Sequence, residues 1–194
     1  MQHHNHTVFL DRDGTINYDT GYIKDPDSVK LYPGVAEGIR RLKDQYNFKI
    51  VVISNQAGIA YGILTHNDVD AINNRINSLL SDYGTGIDNF YYCPFHPDFN
   101  SEEDSECRKP SPYMIVKASI DLNIDLSKSY MIGDKNIDIL CGINAGVKTI
   151  LVNYSGDNTE INVLHNLEKK PNFVAANFIE ACDFIVKDFL EERS

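Results

Sequence analysis

Val8-Phe9-Leu10-Asp11-Arg12-Asp13-Gly14-Thr15 is the stretch from which the rest of the chain becomes readable. Three apolar residues stop abruptly at two carboxylates separated by a single arginine, and Gly-Thr comes next. A short apolar run of this kind reads as a buried strand, and the change to acid sets both aspartates just past its carboxyl end, where open α/β sheets bind ligands. Taken alone, Asp-x-Asp is a loop or turn feature more often than a catalytic pair. The order of the later segments of the chain decides between the two.

Further apolar, largely β-branched runs recur at Ile50 to Ile53, Tyr130 to Ile132 and Thr149 to Val152, with another strand expected around Phe90 to Tyr92. Helical patterns separate them. Pro33-Gly34 opens a stretch with Val35, Ile39 and Leu42 on one face and a stop at Asn47. Thr65 can cap a helix in which Val69, Ile72, Ile76 and Leu79 recur at three- and four-residue steps. Ser111-Pro112 starts a third, with Ile115, Ala118 and Leu122 inward. After Pro171, Phe173-Val174 leads into a last helix with a stripe of Ile179, Cys182, Val186 and Phe189. Strands alternating with crossover helices predict an α/β fold with a mostly parallel, Rossmann-like sheet flanked by helices. No internal repeat, low-complexity tract or linker interrupts the pattern, so residues 1–194 are expected to form one domain, with residues 1–6 as a flexible N-terminal tail without a role for its histidines.

A formal charge of −10 and a pI of about 4.9 provide no diffuse positive field to gather nucleic acid or an anionic membrane, so positive charge for binding a phosphate must be local. No apolar run approaches the roughly 18 residues of a membrane helix, and a cytoplasmic protein is expected. Four cysteines, Cys93, Cys107, Cys141 and Cys182, are too few for a disulfide framework; they are expected to be reduced, with Cys141 and Cys182 in the core.

Later strand ends carry more chemistry. Ile53-Ser54-Asn55 presents a hydroxyl and a backbone N–H, Arg108-Lys109-Pro110 presents local positive charge, and Gly133-Asp134-Lys135 with Asp138 returns to acid. Ser-Asn is usually a cap or turn, Arg-Lys usually solvated surface, and Gly-Asp usually a turn. With Asp11 to Thr15 they make four segments, which in this order resemble the motifs of the haloacid dehalogenase (HAD) superfamily of phosphatases. That resemblance implies Asp11 as nucleophile, Asp13 as acid and then base, Ser54 on the phosphoryl oxygens and Lys109 holding both phosphate and Asp11. It also implies Mg²⁺ bound by Asp11, Asp134 and the backbone carbonyl of Asp13, with Asp138 in a supporting position.

About forty residues separate Asp13 from Ser54 and about fifty separate Asn55 from Lys109, too few for a large cap domain beside the core elements. Asp11 to Asn17, Gly21-Tyr22, Asn55 to Ala60, Tyr92-Cys93-Pro94, Cys107 to Pro110 and Gly133 to Lys135 resemble the heptose-bisphosphate phosphatases, over roughly residues 7 to 153. The resemblance implies hydrolysis of a small phosphorylated sugar, namely the 7-phosphate of D-glycero-D-manno-heptose 1,7-bisphosphate. Asn17, Asp19, Asn55, Gln56, Arg108 and Lys109 would then face substrate or phosphate, while Tyr22 and Ile59 shape the surrounding loops. Histidinol-phosphate phosphatases share many of these motifs and are the alternative. A nucleic-acid 3′-phosphatase fits the acidic composition poorly, and a non-catalytic scaffold fits the full motif set poorly. A monomer is the default expectation.

In one place the sequence departs from the pattern. The family's zinc loop reads Cys-x-His, a spacer, then Cys-x-Cys before Arg-Lys-Pro, whereas this chain has Cys93-Pro94-Phe95-His96 and Ser105-Glu106-Cys107. Cys93, His96 and Cys107 are the residual candidates for zinc, one short of the usual four N/S ligands. A loop closed without metal is expected, and no disulfide between Cys93 and Cys107 in a reducing compartment.

Overall fold

The computed structural model describes residues 6–192. Its six strands are β1 (Thr7–Leu10), β2 (Lys49–Asn55), β3 (Asn89–Cys93), β4 (Tyr130–Gly133), β5 (Lys148–Val152) and β6 (Phe173–Ala175). They form one sheet in the order β3-β2-β1-β4-β5-β6, with every neighbouring pair parallel. The helices are α1 (Val35–Tyr46), α2 (His66–Ser81), α3 (Glu102–Ser105), α4 (Tyr113–Leu122), α5 (Asn136–Ala145), α6 (Thr159–Asn166) and α7 (Phe178–Glu191). The expected α/β architecture is therefore observed, and β6 adds a strand from the short Phe173-Val174 run. The flexible-tail expectation falls outside the described residues except at His6, whose ring lies 5.1 Å from Phe189 and 5.9 Å from Phe48.

Alternation of side chains across the pleat sorts the core into two faces. Val8, Leu10, Ile50, Val52 and Ile132 join Ile39 and Leu42 of α1, Ile72 and Ile76 of α2, and Phe178, Cys182 and Ile185 of α7. On the other face Phe9, Val51, Ile53 and Met131 meet Met114, Ile115 and Ala118 of α4 and Cys141 of α5. Ile139, Leu151 and Leu164 bring α6 in beside α5. Cys141 and Cys182 are buried core residues, as expected.

Local signals set most helix ends. Asn47 adopts φ 56° and receives the end of α1, and Thr65 forms a full capping box with Asp68 at the start of α2. The buried stripe of α2 ends at Leu80 instead of Leu79, because Asn73 is also turned inward and the face rotates by one residue. In α7 the deepest positions are Phe178, Ala181, Cys182, Ile185, Val186 and Phe189; Ile179 is only half-buried, covering Gly34 at the start of α1. Gly38 lets α1 and α7 approach closely: a Cβ there would lie 2.8 Å from Cys182 Sγ and 2.9 Å from Phe178 Cδ1.

Strand order reverses direction at β1, which has β2 on one side and β4 on the other. Such a switch point opens a crevice at the carboxyl ends of the strands. The segments after β1, β2 and β4 all open there, and loops rather than a separate cap surround it. The β1–α1 connection is folded by a bridge between Asn17 and Leu31 and a single 3-10 turn at Pro26–Ser28.

Candidate active site

The crevice is a cavity of about 380 Å³ whose floor is Asp11, Asp13, Ser54, Lys109 and Asp138 and whose walls include Asp19, Tyr22, Asn55, Gln56 and Lys135. Asp11 continues the ladder one residue beyond β1, its N–H donating to Ile132 O at 3.0 Å, so its carboxylate leaves the sheet at the switch point. Lys109 reaches it from the segment before α4: Nζ lies 2.5 Å from Asp11 Oδ1, 2.7 Å from Asp138 Oδ1 and 3.1 Å from Ile53 O. Asn55 fixes the Lys109 backbone from both sides, accepting from its N–H at 2.9 Å and donating to its carbonyl at 3.2 Å. Asn55 thereby positions Lys109 through main-chain contacts, and the Lys109–Pro110 peptide is cis.

Burial and charge oppose each other here. Burial favours the neutral amine of Lys109, yet Asp11 and Asp138 outweigh it and hold the group above the usual lysine value. Asp11 is pushed up to about 7, chiefly by burial, with Lys109 pulling down and Asp138 and Asp134 pushing up. Asp134 is raised to about 6 by burial and then by Asp138. Its Oδ1 accepts from Thr15 Oγ1 at 3.0 Å.

Asp13 is treated differently. Burial would raise its pKa too, but Arg12, Asn17 and Gln56 together hold it below the usual carboxylate range. Arg12 clasps Oδ2 with Nη2 at 2.7 Å and Nε at 3.1 Å, Gln56 Nε2 donates to the same oxygen at 3.0 Å, and Asn17 Nδ2 donates to Oδ1 at 2.9 Å. The Gln56 amide also donates to Ser54 Oγ at 2.6 Å. Arg12 is 2% exposed, and its Nη1 donates to Asn73 Oδ1 on α2 at 3.1 Å.

Ligand oxygens of Asp11, Asp134 and Asp138 lie within 4.8 Å of one another. Three carboxylates offering only hard oxygen donors suit a small divalent cation such as Mg²⁺ better than a soft metal. Burial raises both Asp11 and Asp134, and Asp138 adds repulsion to each that a cation would relieve. Gly14 leaves the room this requires: at φ +90° it passes so close to Asp134 that a Cβ would sit 2.7 Å from its Cγ.

Of the substrate-facing residues expected from the sequence, Asn55 and Gln56 line the cavity as well as making the contacts above. Asn17 does not face it: the residue is fully buried behind Asp13, which takes its amide. Asp19 lines the wall and pairs with Lys135 Nζ at 3.1 Å. Arg108 is set back from the floor beside Tyr61 and Tyr22; burial lowers its pKa, and its Nη1 is buried without a hydrogen-bond partner. Arg12, Asn73, Thr15 and Lys135 join the site from outside the set expected from the sequence. Asn73 carries a visible signal, a polar residue within the apolar stripe of α2.

The Cys93–Cys107 expectation is corrected: the two are joined in a disulfide, with Cα atoms 5.4 Å apart. Cys93 at the end of β3 and Cys107 at the end of a returning loop are within bonding reach once that loop closes. His96 is occupied elsewhere, its Nε2 being 3.4 Å from Tyr61 OH and its Nδ1 3.4 Å from Asp98. Both sulfurs are joined to each other in this arrangement.

Comparison with known proteins agrees with this geometry. The family model for HAD-hydrolase-like proteins matches residues 106–181. D-glycero-beta-D-manno-heptose-1,7-bisphosphate 7-phosphatase of Yersinia pestis is 37% identical over 181 residues, covering 88% of this chain and 96% of the relative. D-glycero-D-manno-heptose-1,7-bisphosphate 7-phosphatase of Chlorobaculum tepidum is 45% identical over 162 residues, covering 79% and 80%. The crystal structure of D,D-heptose 1,7-bisphosphate phosphatase from B. bronchiseptica, complexed with magnesium and phosphate, superposes with a TM-score of 0.78 at 26% identity, covering 94% of this chain and 99% of that one. Sequence similarity along nearly the full length of such relatives, joined to a six-stranded parallel sheet with its acidic crevice at the switch point, establishes that the chain belongs to the heptose-bisphosphate 7-phosphatase family of HAD-like hydrolases.

Proposed function

We propose that this protein is a phosphoric monoester hydrolase that removes the 7-phosphate of D-glycero-D-manno-heptose 1,7-bisphosphate through a phosphorylated Asp11. The observation that supports the reading is the grouping on the cavity floor: Asp11 held by Lys109, with Asp134 and Asp138 close enough to share a cation and Asp13 beside them. In this reading Asp11 is the nucleophile and Asp13 the proton carrier.

In this mechanism a carboxylate oxygen of Asp11 attacks phosphorus while the bond to the sugar oxygen breaks on the opposite side. Asp13, protonated once substrate is bound, gives its proton to that departing oxygen. In the second half Asp13 takes a proton from the water that attacks phosphorus, the phosphorus–Asp11 bond breaks and inorganic phosphate is released. Ser54 and its neighbouring backbone N–H hold phosphoryl oxygens, and Lys109 balances their charge while keeping Asp11 in line. Asn55 keeps Lys109 there, and Gln56 links Ser54 to Asp13. Arg108 and Asp19 act toward the sugar end, with Asn17 positioning Asp13 from behind.

Asp11, Asp134 and the backbone carbonyl of Asp13 would hold Mg²⁺, with Asp138 completing the acidic set. When bound, Mg²⁺ supplies Lewis-acid neutralisation of charge on the phosphoryl group. No helix among the described residues is long and apolar enough to cross a membrane.

The test is kcat/KM with Mg²⁺ on both anomers of the heptose bisphosphate and on histidinol phosphate, following phosphate release. The heptose ester is expected to be preferred by at least about tenfold, ~1.4 kcal/mol in transition-state binding. Preference for histidinol phosphate would overturn the substrate and leave the two-aspartate mechanism standing.

A further inference from the structure

We propose that the Cys93–Cys107 bond is a thiol–disulfide exchange site, open to a dithiol reductant, that governs how firmly Arg108 is presented to substrate. The inference rests on the phosphatase reading above and adds a control to the same site.

The bond lies between two parts of the catalytic edge. Cys93 ends β3 in register with Asn55, and its carbonyl accepts from Gln56 N–H at 2.8 Å. Cys107 immediately precedes Arg108 and Lys109, two of the basic residues of the site. The bond spans a sequence separation of 14. Hydrogen bonds within that loop are local: His96 N–H donates to Asn100 Oδ1 at 3.0 Å, Phe99 N–H donates to His96 O at 3.0 Å, and Asp104 N–H donates to Ser101 Oγ at 3.1 Å. Its ring contacts reach Tyr61, 5.2 Å from His96 and 4.9 Å from Phe99.

Lys109 and Arg108 depend on this loop to different degrees. Lys109 is held by both Asn55 contacts, by Asp11 and by Asp138, all outside the loop. The Arg108 backbone N–H instead donates to Ser105 O at 2.9 Å, inside it. The buried, unpartnered Nη1 of Arg108 is a donor waiting for an acceptor, and an anionic ligand beside Tyr61 and Tyr22 would supply one. Opening the bond therefore loosens the residue that reads the ligand and spares the residue that holds Asp11.

The two sulfurs are unequally accessible. Cys93 is fully buried among Phe9, Ile53 and Met114, while Cys107 is half-buried toward solvent. A reductant thiolate attacks Cys107 Sγ, the Cys93–Cys107 bond breaks, and Cys93 leaves as a thiolate that takes a proton in its apolar setting. The reductant's second thiol then attacks the mixed disulfide, releasing Cys107 as a thiol. Two electrons and two protons pass to the protein, and the dithiol leaves as a disulfide.

Full-length protein purified without reductant is assayed before and after treatment with dithiothreitol or thioredoxin, with alkylation and mass spectrometry reporting Cys93 and Cys107. Reduction is expected to raise KM for the heptose bisphosphate at least fivefold while kcat, and turnover of p-nitrophenyl phosphate, stay within twofold; reoxidation restores the first KM. Cys107→Ser is expected to show the high KM and no response to dithiothreitol. An unchanged KM with both thiols alkylated overturns the proposal, as do equal losses on both esters. If the oxidised protein hydrolyses neither ester, the phosphatase reading falls instead, and limited proteolysis decides the exchange site: faster cleavage within residues 94–106 on reduction supports it, and an unchanged rate overturns it.

Discussion

Gly14→Ala tests how tightly the acidic cluster is built. Gly14 has φ +90°, where a residue bearing a Cβ costs about 1–2 kcal/mol. The added carbon would lie 2.7 Å from Asp134 Cγ and 2.8 Å from its Oδ1. Nonbonded carbons settle at roughly 3.5–4.0 Å, so the carboxylate must retreat by about 1 Å and strain its bond from Thr15. Metal sites tolerate only about ±0.2 Å in ligand distance, and disturbing a ligand's support commonly weakens metal binding about 10–100-fold. The half-saturating Mg²⁺ concentration for phosphate release is therefore expected to rise by about that factor, equivalent to ~1.4–2.8 kcal/mol. Strain alone should lower Tm by about 2–8 °C for a chain of this size. The assay is a Mg²⁺ titration of phosphate release, paired with thermal unfolding with and without Mg²⁺. A half-saturation within twofold of the unsubstituted protein would refute the placement of Asp134 as a ligand.

Lys109→Met removes the only basic group touching both Asp11 and Asp138 among the described residues, and should cost at least ~10³-fold in kcat/KM while circular dichroism shows a folded protein. Asp13→Asn should slow turnover of the sugar ester by about 10²–10⁴-fold, with phosphate trapped on the protein detectable by mass spectrometry because the base of the second half is gone. Asp11 and Asp134, raised to about 7 and about 6 without a cation, must lose protons to bind one; apparent Mg²⁺ affinity should rise as pH increases through that range and fall as it decreases, with proton release measurable calorimetrically. Gly38→Ala gains about 1 kcal/mol of helix propensity but forces a methyl against Cys182 and Phe178, an overpacking cost of about 1–3 kcal/mol; a net loss in urea unfolding is expected, and a stabilised protein would show that α1 and α7 can separate freely.

Sheet and principal helices are legible in the sequence because both depend on period and punctuation: apolar runs such as Val8 to Leu10, and end signals such as Asn47 and Thr65, are local chemistry. The acidic and basic residues that line the crevice are legible as a group because each comes after an apolar strand or before a helix in a fixed order. Less can be read where a residue's role depends on what another element brings to it. Arg12 looks like a spacer until Asn73 of α2 arrives beside it, and Asn17 looks like a ligand contact until the chain folds it behind Asp13. Lys135 and Asp19 are far apart in sequence and meet only across the crevice. The Cys93–Cys107 bond is hidden for the same reason: compartment chemistry argues against it, and only the closed loop brings the two sulfurs within reach.

The place of β1 between β2 and β4 also bears on how the protein comes into being. Its partner β2 begins with Lys49, but its other partner, β4, begins only at Tyr130, and α7, which covers α1, only at Phe178. On the ribosome the nascent chain thus exposes one flank of this strand until β4 has been made. Contacts so distant in sequence form slowly and leave unpaired edges open to misassociation. The candidate nucleophile, Asp11, lies at the end of that late-paired flank.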